Sequence, residues 1–347
     1  MPQFANSLVA WQRRHGRHDL PWQGTRDPYR VWLSEVMLQQ TQVESVVPYY
    51  ERFLERFPDV GALARGPEEE VLRLWSGLGY YARARNLHRA ARLVALERGG
   101  RFPDSVEDLR ALPGVGRSTA AAIAAFAFGR RAAILDGNVK RVLARAFGIE
   151  GFPGVRAVEA RLWRLAEAQL PARGIERYTQ ALMDLGATLC TRARPRCAAC
   201  PVAARCVARL EGRVAELPAA RPRRALPRKD VTWLVVLDAG RVLLERRAAP
   251  GLWGGLWAFP EVSGKGTDAH CRRALGGEAR LLERLAPLEH AFTHFRLRAL
   301  PLVYALGKRA PRAEQPGRLW LELAEAQGAA APAPVKRLLA QIAARRA

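Results

Sequence analysis

The sequence predicts a two-domain protein, all-α first and α+β second, and three observations carry that division. Through about residue 210 apolar positions recur at helical spacing, and almost nothing alternates with a period of two. The stretch Leu217-Pro218-Ala219-Ala220-Arg221-Pro222-Arg223-Arg224-Ala225-Leu226-Pro227 is then rich in Pro and Arg and reads as an extended basic linker. Beyond it the period shortens. Residues 231–237, the turn Asp238-Ala239-Gly240 and residues 241–246 form a hairpin pattern, and 292–302 is a further β-like stretch. At 347 residues, 49% of them hydrophobic, the chain is long for one core and can fill two. The expected division is therefore 1–210, a linker over 211–229, and 230–347.

Taken in order, segments 31–38, 68–75, 84–97, 118–128, 139–146 and 158–170 carry helical apolar stripes, with Pro and Gly in the gaps. Ser105-Val106-Glu107-Asp108 has the pattern of a capping box. Gly129 can end the alanine-rich helix before it, and Asn138 can cap the one that follows.

The net charge of +23 calls for a polyanionic partner. Nucleic acid is the first choice and an anionic membrane surface the second. Only five of the 56 basic residues are Lys, a bias that a GC-rich genome also produces, so the charge and not the Arg content carries the inference. The longest apolar run, 120–128, is too short to span a bilayer. No basic segment followed by an apolar one opens the chain, so a reducing cytoplasmic location is expected.

Four cysteines, Cys190, Cys197, Cys200 and Cys206, fall within 17 residues, separated by six, two and five others. This uneven spacing differs from the paired CxxC of a zinc ribbon. It suits a [4Fe–4S] cluster, whose four corners one short loop can supply. Zinc and four unconnected thiols are the alternatives. Arg192, Arg194, Arg196 and Arg205 crowd the same loop. They offset the charge of a thiolate cluster and leave a surplus for phosphate. The fifth cysteine, Cys271, reads as an ordinary thiol.

Leu112-Pro113-Gly114-Val115-Gly116-Arg117-Ser118 places two glycines in a turn before a helix, where uncovered N–H groups form an anion site. A plain connection between helices is the alternative. No Lys-Ser/Thr follows, which argues against a nucleotide-triphosphate loop. Asp136 precedes a helix N-terminus, where dipole and amides should keep it ionised, although it could be only a capping residue. Glu35 shares a helix face with Val31, Trp32, Leu38 and Gln39, so burial should raise its pKa unless it lies at a solvated edge. A proton-bearing Glu and an ionised Asp are the pair needed to break a glycosidic bond. Gln39-Gln40-Thr41-Gln42 and the Gly77-Leu78-Gly79-Tyr80-Tyr81 turn offer amides and rings that can fill a stack from which a base has been extruded. Tyr pairs more often simply pack.

Together these blocks resemble the DNA glycosylases that combine a helix–hairpin–helix, a Gly/Pro-rich loop with an essential Asp, and a [4Fe–4S] loop. Leu20-Pro21-Trp22, residues 32–42, 77–86, 112–120, 134–141 and 183–187, and the cysteine spacing are similar to the A/G-specific, MutY-type adenine glycosylases. That resemblance implies excision of adenine paired with 8-oxoguanine or guanine in duplex DNA, by a bacterial, nucleoid-associated monomer with a [4Fe–4S] cluster on the four cysteines. It implies that Glu35 protonates adenine and later handles water, and that Asp136 stabilises the sugar cation. Gln39 and Tyr80 would fill the opened stack. Leu20, Trp22 and Gln180 would surround the flipped adenine, and Gly114, Val115 and Gly116 would bind phosphate. Ser118 stands where sister enzymes that cut the backbone carry a Schiff-base Lys; a hydroxyl there implies a monofunctional enzyme, although Lys140 could react with an abasic sugar by proximity.

The second domain resembles a Nudix fold at Leu252-Trp253-Gly254-Gly255-Leu256-Trp257-Ala258-Phe259-Pro260. Residues 269–278 offer one Glu and two Args in place of a Mg²⁺-binding acidic helix, so pyrophosphate hydrolysis is not expected. Phe292-Thr293-His294 resembles the family's Phe-Ser-His loop against 8-oxoguanine, with Thr in place of Ser. Two rival readings are an oxidised-pyrimidine glycosylase, which Ser118 and the second domain oppose, and a non-enzymatic iron–sulfur DNA-binding protein, which the Glu35–Asp136 pair opposes.

Overall fold

The computed structural model describes residues 2–222, 225–249, 251–262, 277–309 and 317–346. The chain forms two compact units. One comprises Met1–Arg65 with Asn86–Arg223, and the other Gly66–Arg85 with Arg224–Ala347. Residues 66–85, which precede most of the helical part in sequence, thus group with the C-terminal part. Among the described residues no helix is long and apolar enough to cross a membrane.

The first unit is helical: α1 (Pro2–His15), α2 (Pro28–Met37), α3 (Val43–Arg56), α4 (Val60–Arg65), then, after α5 (Glu68–Trp75) of the other unit, the greater part of α6 (Ala82–Glu97). It continues through α7 (Val106–Arg110), α8 (Arg117–Phe128), α9 (Gly137–Phe147), α10 (Arg156–Ala168), α11 (Ile175–Asp184) and the short α12 (Val207–Leu210). Local chemistry sets the ends. Asp27 caps α2 by accepting the Tyr29 N–H, with Pro28 at the first helical position. The Ser105 hydroxyl accepts the Asp108 N–H at 3.0 Å and opens α7, as its capping pattern required. Gly129 ends α8 in the left-handed region at φ 64°.

Helix α8 is apolar on all sides, and residues 120–125 are all buried. It therefore runs through the middle of the unit, where Ala121, Ala122 and Ala125 share a core with Leu8, Val139, Leu143, Tyr178 and Leu182. Small Ala side chains let the surrounding helices approach closely. Helices α1, α3, α4 and α11 were not among the expected segments. In α3 the buried Val46, Tyr50 and Phe53 keep helical spacing around the internal Pro48, whose ring normally argues for a break.

Among its described residues the second unit contains eight strands: β1 (Arg228–Asp238), β2 (Arg241–Arg246), β3 (Trp257–Ala258), β4 (Glu261–Val262), β5 (Gly277–Arg284), β6 (Leu288–Ala291), β7 (Arg296–Arg309) and β8 (Arg318–Glu322), followed by α13 (Ala333–Arg346). The path β3-β2-β1-β7-β5 forms the sheet, with β4 on β1, β6 on β7 and β8 on β2. The parallel β1–β7 pair is central, and residues 233–237 of β1 are all buried, as a strand covered on both faces requires. The β1–β2 hairpin turns at Ala239-Gly240, both with positive φ, and pairs Asp238 with Arg241. Within the expected linker, Leu217 is buried and its carbonyl accepts from Arg145, Arg213 pairs with Glu150, and Arg228 already opens β1. Cys271 and nearly all of 269–278 lie outside the described residues.

Candidate active site

Glu35 lies on α2 between two cavities of the first unit. On one side, about 600 Å³ is lined by Leu20, Trp22, Val31, Leu38, Gln180 and Met183, among others. On the other, about 670 Å³ is lined by Gln39, Ser118, Thr119, Asp136, Asn138, Arg141 and Gly186, among others. Glu35 is on the wall of both. The first has an aromatic and aliphatic wall of the kind that holds a flat base. The second holds charged residues of both signs, Arg17, Arg141 and Arg192 beside Glu35, Glu44 and Asp136.

Burial pushes the Glu35 carboxyl up to about 8, and the negative charge of Asp136 adds to it. The direction is the one expected from the apolar helix face. For Asp136 the expected direction is reversed: burial raises it, ahead of the lowering by the Val139 and Asn138 amides and the charges of Arg141 and Lys140. Two amides and two cations favour the ionised form of Asp136, whereas burial and the neighbouring charge favour the protonated form of Glu35. Asp136 is also the N-cap of α9, accepting the Val139 N–H at 2.8 Å. The cap expected of Asn138 is thus filled by Asp136, and the Asn138 amide oxygen instead accepts from Arg141 at 2.7 Å. Capping and chemistry are compatible, since Asp136 lines the cavity while it caps the helix.

Ser118 lines the Asp136 cavity and its hydroxyl accepts the Leu135 N–H at 2.9 Å, just ahead of Asp136. Gln39 donates to Thr119 at 3.2 Å, which holds it over the start of α8. In the hairpin, Gly114 (φ 79°) must be glycine, because a Cβ would lie 2.8 Å from that of Asn86. The N–H groups of Gly114 and Gly116 meet no acceptor among the described residues, whereas Val115 is buried and gives its N–H to Leu112 at 3.1 Å. Val115 is thus corrected from phosphate donor to packing residue. Lys140 does not line either cavity and is paired with Glu159 at 2.5 Å. Tyr80 is exposed, with φ 48°, on the 66–85 segment of the second unit.

Several residues of the site escaped the sequence reading. Asp184 is fully buried and binds Arg17 through Nε at 2.8 Å and the backbone N–H at 3.1 Å, and Gln180 at 2.9 Å. It fixes two side chains of the first cavity. Gly186 lets the π-helical turn Leu185–Leu189 press on α9, where a Cβ would lie 2.6 Å from that of Asn138. Arg141 donates to Asn138, Gly186 and Cys190 carbonyl and amide oxygens, tying the Asp136 helix to the cysteine loop. The local signal was the motif at 183–187, whose partners are remote in sequence.

Cys190, Cys197, Cys200 and Cys206 line one small cavity with Arg145, Arg196 and Arg209, and none forms a disulfide. Among the described residues no group of three or more His, Cys, Asp or Glu is placed to hold a metal ion. Burial pushes the Cys200 thiol up to about 11, and the other cysteines add to the effect. A cationic group of several metals, with one thiolate on each corner, fits this all-sulfur donor set. Arg145, itself buried, donates to Cys190 Sγ at 3.4 Å and to the Thr191 and Arg192 carbonyls. In the second unit, Phe292, Thr293 and His294 form the tip between β6 and β7, closed by the Phe292 N–H to the Phe295 carbonyl at 2.9 Å. Thr293 and His294 are exposed, and Phe292 stacks on Phe295 with centroids 4.5 Å apart.

A helical unit with a buried carboxyl beside a second carboxylate suits a base-excision DNA glycosylase. The family model described as HhH-GPD superfamily base excision DNA repair protein matches residues 33–168, and a NUDIX domain model matches 232–341. A structure titled as a thermostable thymine-DNA glycosylase shares 30% identity at TM-score 0.54, over 60% of this chain and 95% of that one. An endonuclease III–DNA complex at 22% identity and TM-score 0.52, over 60% of this chain and 94% of that one, shows the same fold. The adenine DNA glycosylase of Buchnera aphidicola (Acyrthosiphon pisum) is 33% identical over 97% of this chain and 96% of its own length. That of Mus musculus is 36% identical over 96% and 77%. The chain belongs to the adenine DNA glycosylases, enzymes of base excision repair.

Proposed function

We propose that the enzyme removes adenine paired with 8-oxoguanine or guanine in duplex DNA and leaves the backbone intact. The observation that carries this is Glu35 on the wall shared by the cavity of Leu20, Trp22 and Gln180 and the cavity of Asp136. Adenine enters the Leu20, Trp22 and Gln180 side, while its sugar and phosphates stay on the Asp136 side. With its pKa near 8, Glu35 gives its proton to an adenine ring nitrogen. The C1′–N bond breaks and its electron pair leaves with the base. The Asp136 carboxylate stabilises the cation left on the sugar. The Glu35 carboxylate then takes a proton from the water that attacks C1′, which restores the acid and completes the hydrolysis.

Ser118 offers no amine for an imine with the sugar, which supports a monofunctional reaction. The Gly114 and Gly116 amides and the exposed Arg192, Arg194, Arg196 and Arg205 contact phosphate. A [4Fe–4S] cluster on Cys190, Cys197, Cys200 and Cys206 supplies structure, fixing the loop that displays those arginines. Phe292, Thr293 and His294 read the base opposite adenine, and Gln39 and Tyr80 occupy the opened stack. The test is single-turnover excision from a duplex panel: adenine opposite 8-oxoguanine, adenine opposite guanine, and thymine glycol opposite adenine. Cleavage of the first two without strand scission supports the reading. Preference for thymine glycol with concurrent nicking would replace it with the oxidised-pyrimidine activity.

A further inference from the structure

Tyr80 and Gln39, the two residues read as filling the opened stack, belong to different compact units. The Tyr80 turn is strained and braced. Gly77 and Gly79 have φ 113° and 73°, and Tyr80 itself has φ 48°, a costly value for a bulky side chain. The buried Arg83 donates to the Leu78 and Gly79 carbonyls, each at 3.2 Å, and its guanidinium lies over the Trp75 and Tyr80 rings. The Trp75 indole N–H donates to the Gly79 carbonyl at 3.2 Å.

Both sides of this turn are held by the C-terminal part of the same unit. Ahead of it, Glu69 on α5 accepts the Trp257 indole N–H at 2.7 Å, and Ser76 donates to the Ala331 carbonyl at 2.8 Å. Behind it, Arg85 donates to the Gly254 carbonyl at 2.5 Å. The 251–257 turn presses so closely on α5 that a Cβ on Gly255 would lie 3.2 Å from Leu72 Cδ1. The same turn carries Trp253, whose ring packs against Phe292 and His290 with centroids 5.6 and 6.1 Å away. One short turn therefore touches the mount of Tyr80 on one side and the Phe292–His294 tip on the other.

We propose that Trp257 and Arg85 are positioning residues that join these two functions, so that reading the base opposite adenine and placing Tyr80 in the stack occur as one event. This rests on the reading of Tyr80 as a stack-filling residue. The structural basis is simple: a strained exposed Tyr keeps one orientation only while both flanks of its turn are fixed.

The test uses the full chain and four variants: Tyr80→Ala, Arg85→Met/Trp257→Phe, the combination of all three changes, and Arg85→Lys as the conservative control. The readouts are the ratio of single-turnover rates on adenine opposite 8-oxoguanine and opposite guanine, and the fluorescence of 2-aminopurine placed beside the 8-oxoguanine. Melting temperature controls for folding. Arg85→Met/Trp257→Phe should lower the rate ratio about tenfold, as loss of two hydrogen bonds to a positioned group predicts, and should reduce the fluorescence rise. Arg85→Lys should restore most of the Arg85 share. In the Tyr80→Ala background the same double change should cost less than about twofold, because coupled residues are not additive. Full additivity, or an unchanged ratio in the double variant, would overturn the coupling while leaving Tyr80's role intact. If Tyr80→Ala itself alters neither readout, the stack-filling reading fails and the coupling fails with it.

Discussion

Replacing Glu35 with Gln keeps the shape and removes the transferable proton, and the structure sets the size of the effect. An ordinary Glu at 4.5 would be protonated in only about one molecule in 300 at pH 7, whereas a value near 8 leaves about nine in ten protonated. The setting thus raises the supply of acid by roughly 300-fold, and general acid catalysis adds its own factor of about 10²–10⁴. Glu35→Gln should therefore lower single-turnover excision by about 10³ or more, while affinity for the uncleaved duplex changes little because phosphate contacts carry most of it. The wild-type rate should be flat through neutral pH and fall about tenfold per unit above pH 8.

Stability gives a second, independent reading of the same proton. A raised folded pKa means that the contribution of Glu35 is fully present below about 4.5 and is lost as pH rises through 8. Glu35→Gln lacks this titration, so it should gain on wild type from pH 5 to pH 8, by a few kcal/mol at most. Chemical denaturation at both pH values, beside excision and binding on one duplex, checks both arms. A variant that still cuts within a few-fold of wild type, or a stability difference that does not change with pH, would refute the assignment of Glu35 as the acid.

Asp136→Asn should cost activity of similar order by removing the charge facing the sugar cation. Because that charge also raises Glu35, the alkaline limb of any residual rate should move to lower pH, which a pH–rate profile checks. Ser118→Lys should gain lyase activity, seen as a borohydride-trapped adduct, at some cost in stability since the Leu135 N–H loses its acceptor; wild-type protein that nicks as fast as it releases base contradicts this. Anaerobically purified protein should contain about four irons per chain, and Cys200→Ser should weaken DNA binding or folding more than the excision step of protein that does bind; stoichiometric zinc without iron counts against it. His294→Ala should shrink the preference for 8-oxoguanine over guanine through loss of a contact worth about 1–3 kcal/mol, and equal discrimination in wild type and variant argues for another role of that loop.

The sequence by itself determined the parts whose information is local. A period of 3.6 giving way to a period of 2 separated the helical from the β-rich part. Four thiols within one loop named a donor set. Glu35 among Val31, Trp32 and Leu38 pointed to a raised pKa, because an apolar helix face disfavours the charged form. The tertiary structure alone decided what depends on residues distant in sequence. Asp136 has helpful amides in its own helix, yet its net shift is upward, since packing from other segments removes its water. Asp184 binds Arg17 from 167 residues away and so shapes the base cavity. Residues 66–85 lie within the helical part by sequence, but Trp257 and Gly254 draw them into the second unit. Periodicity shows which face of an element is to be covered, and only the assembled chain shows what covers it.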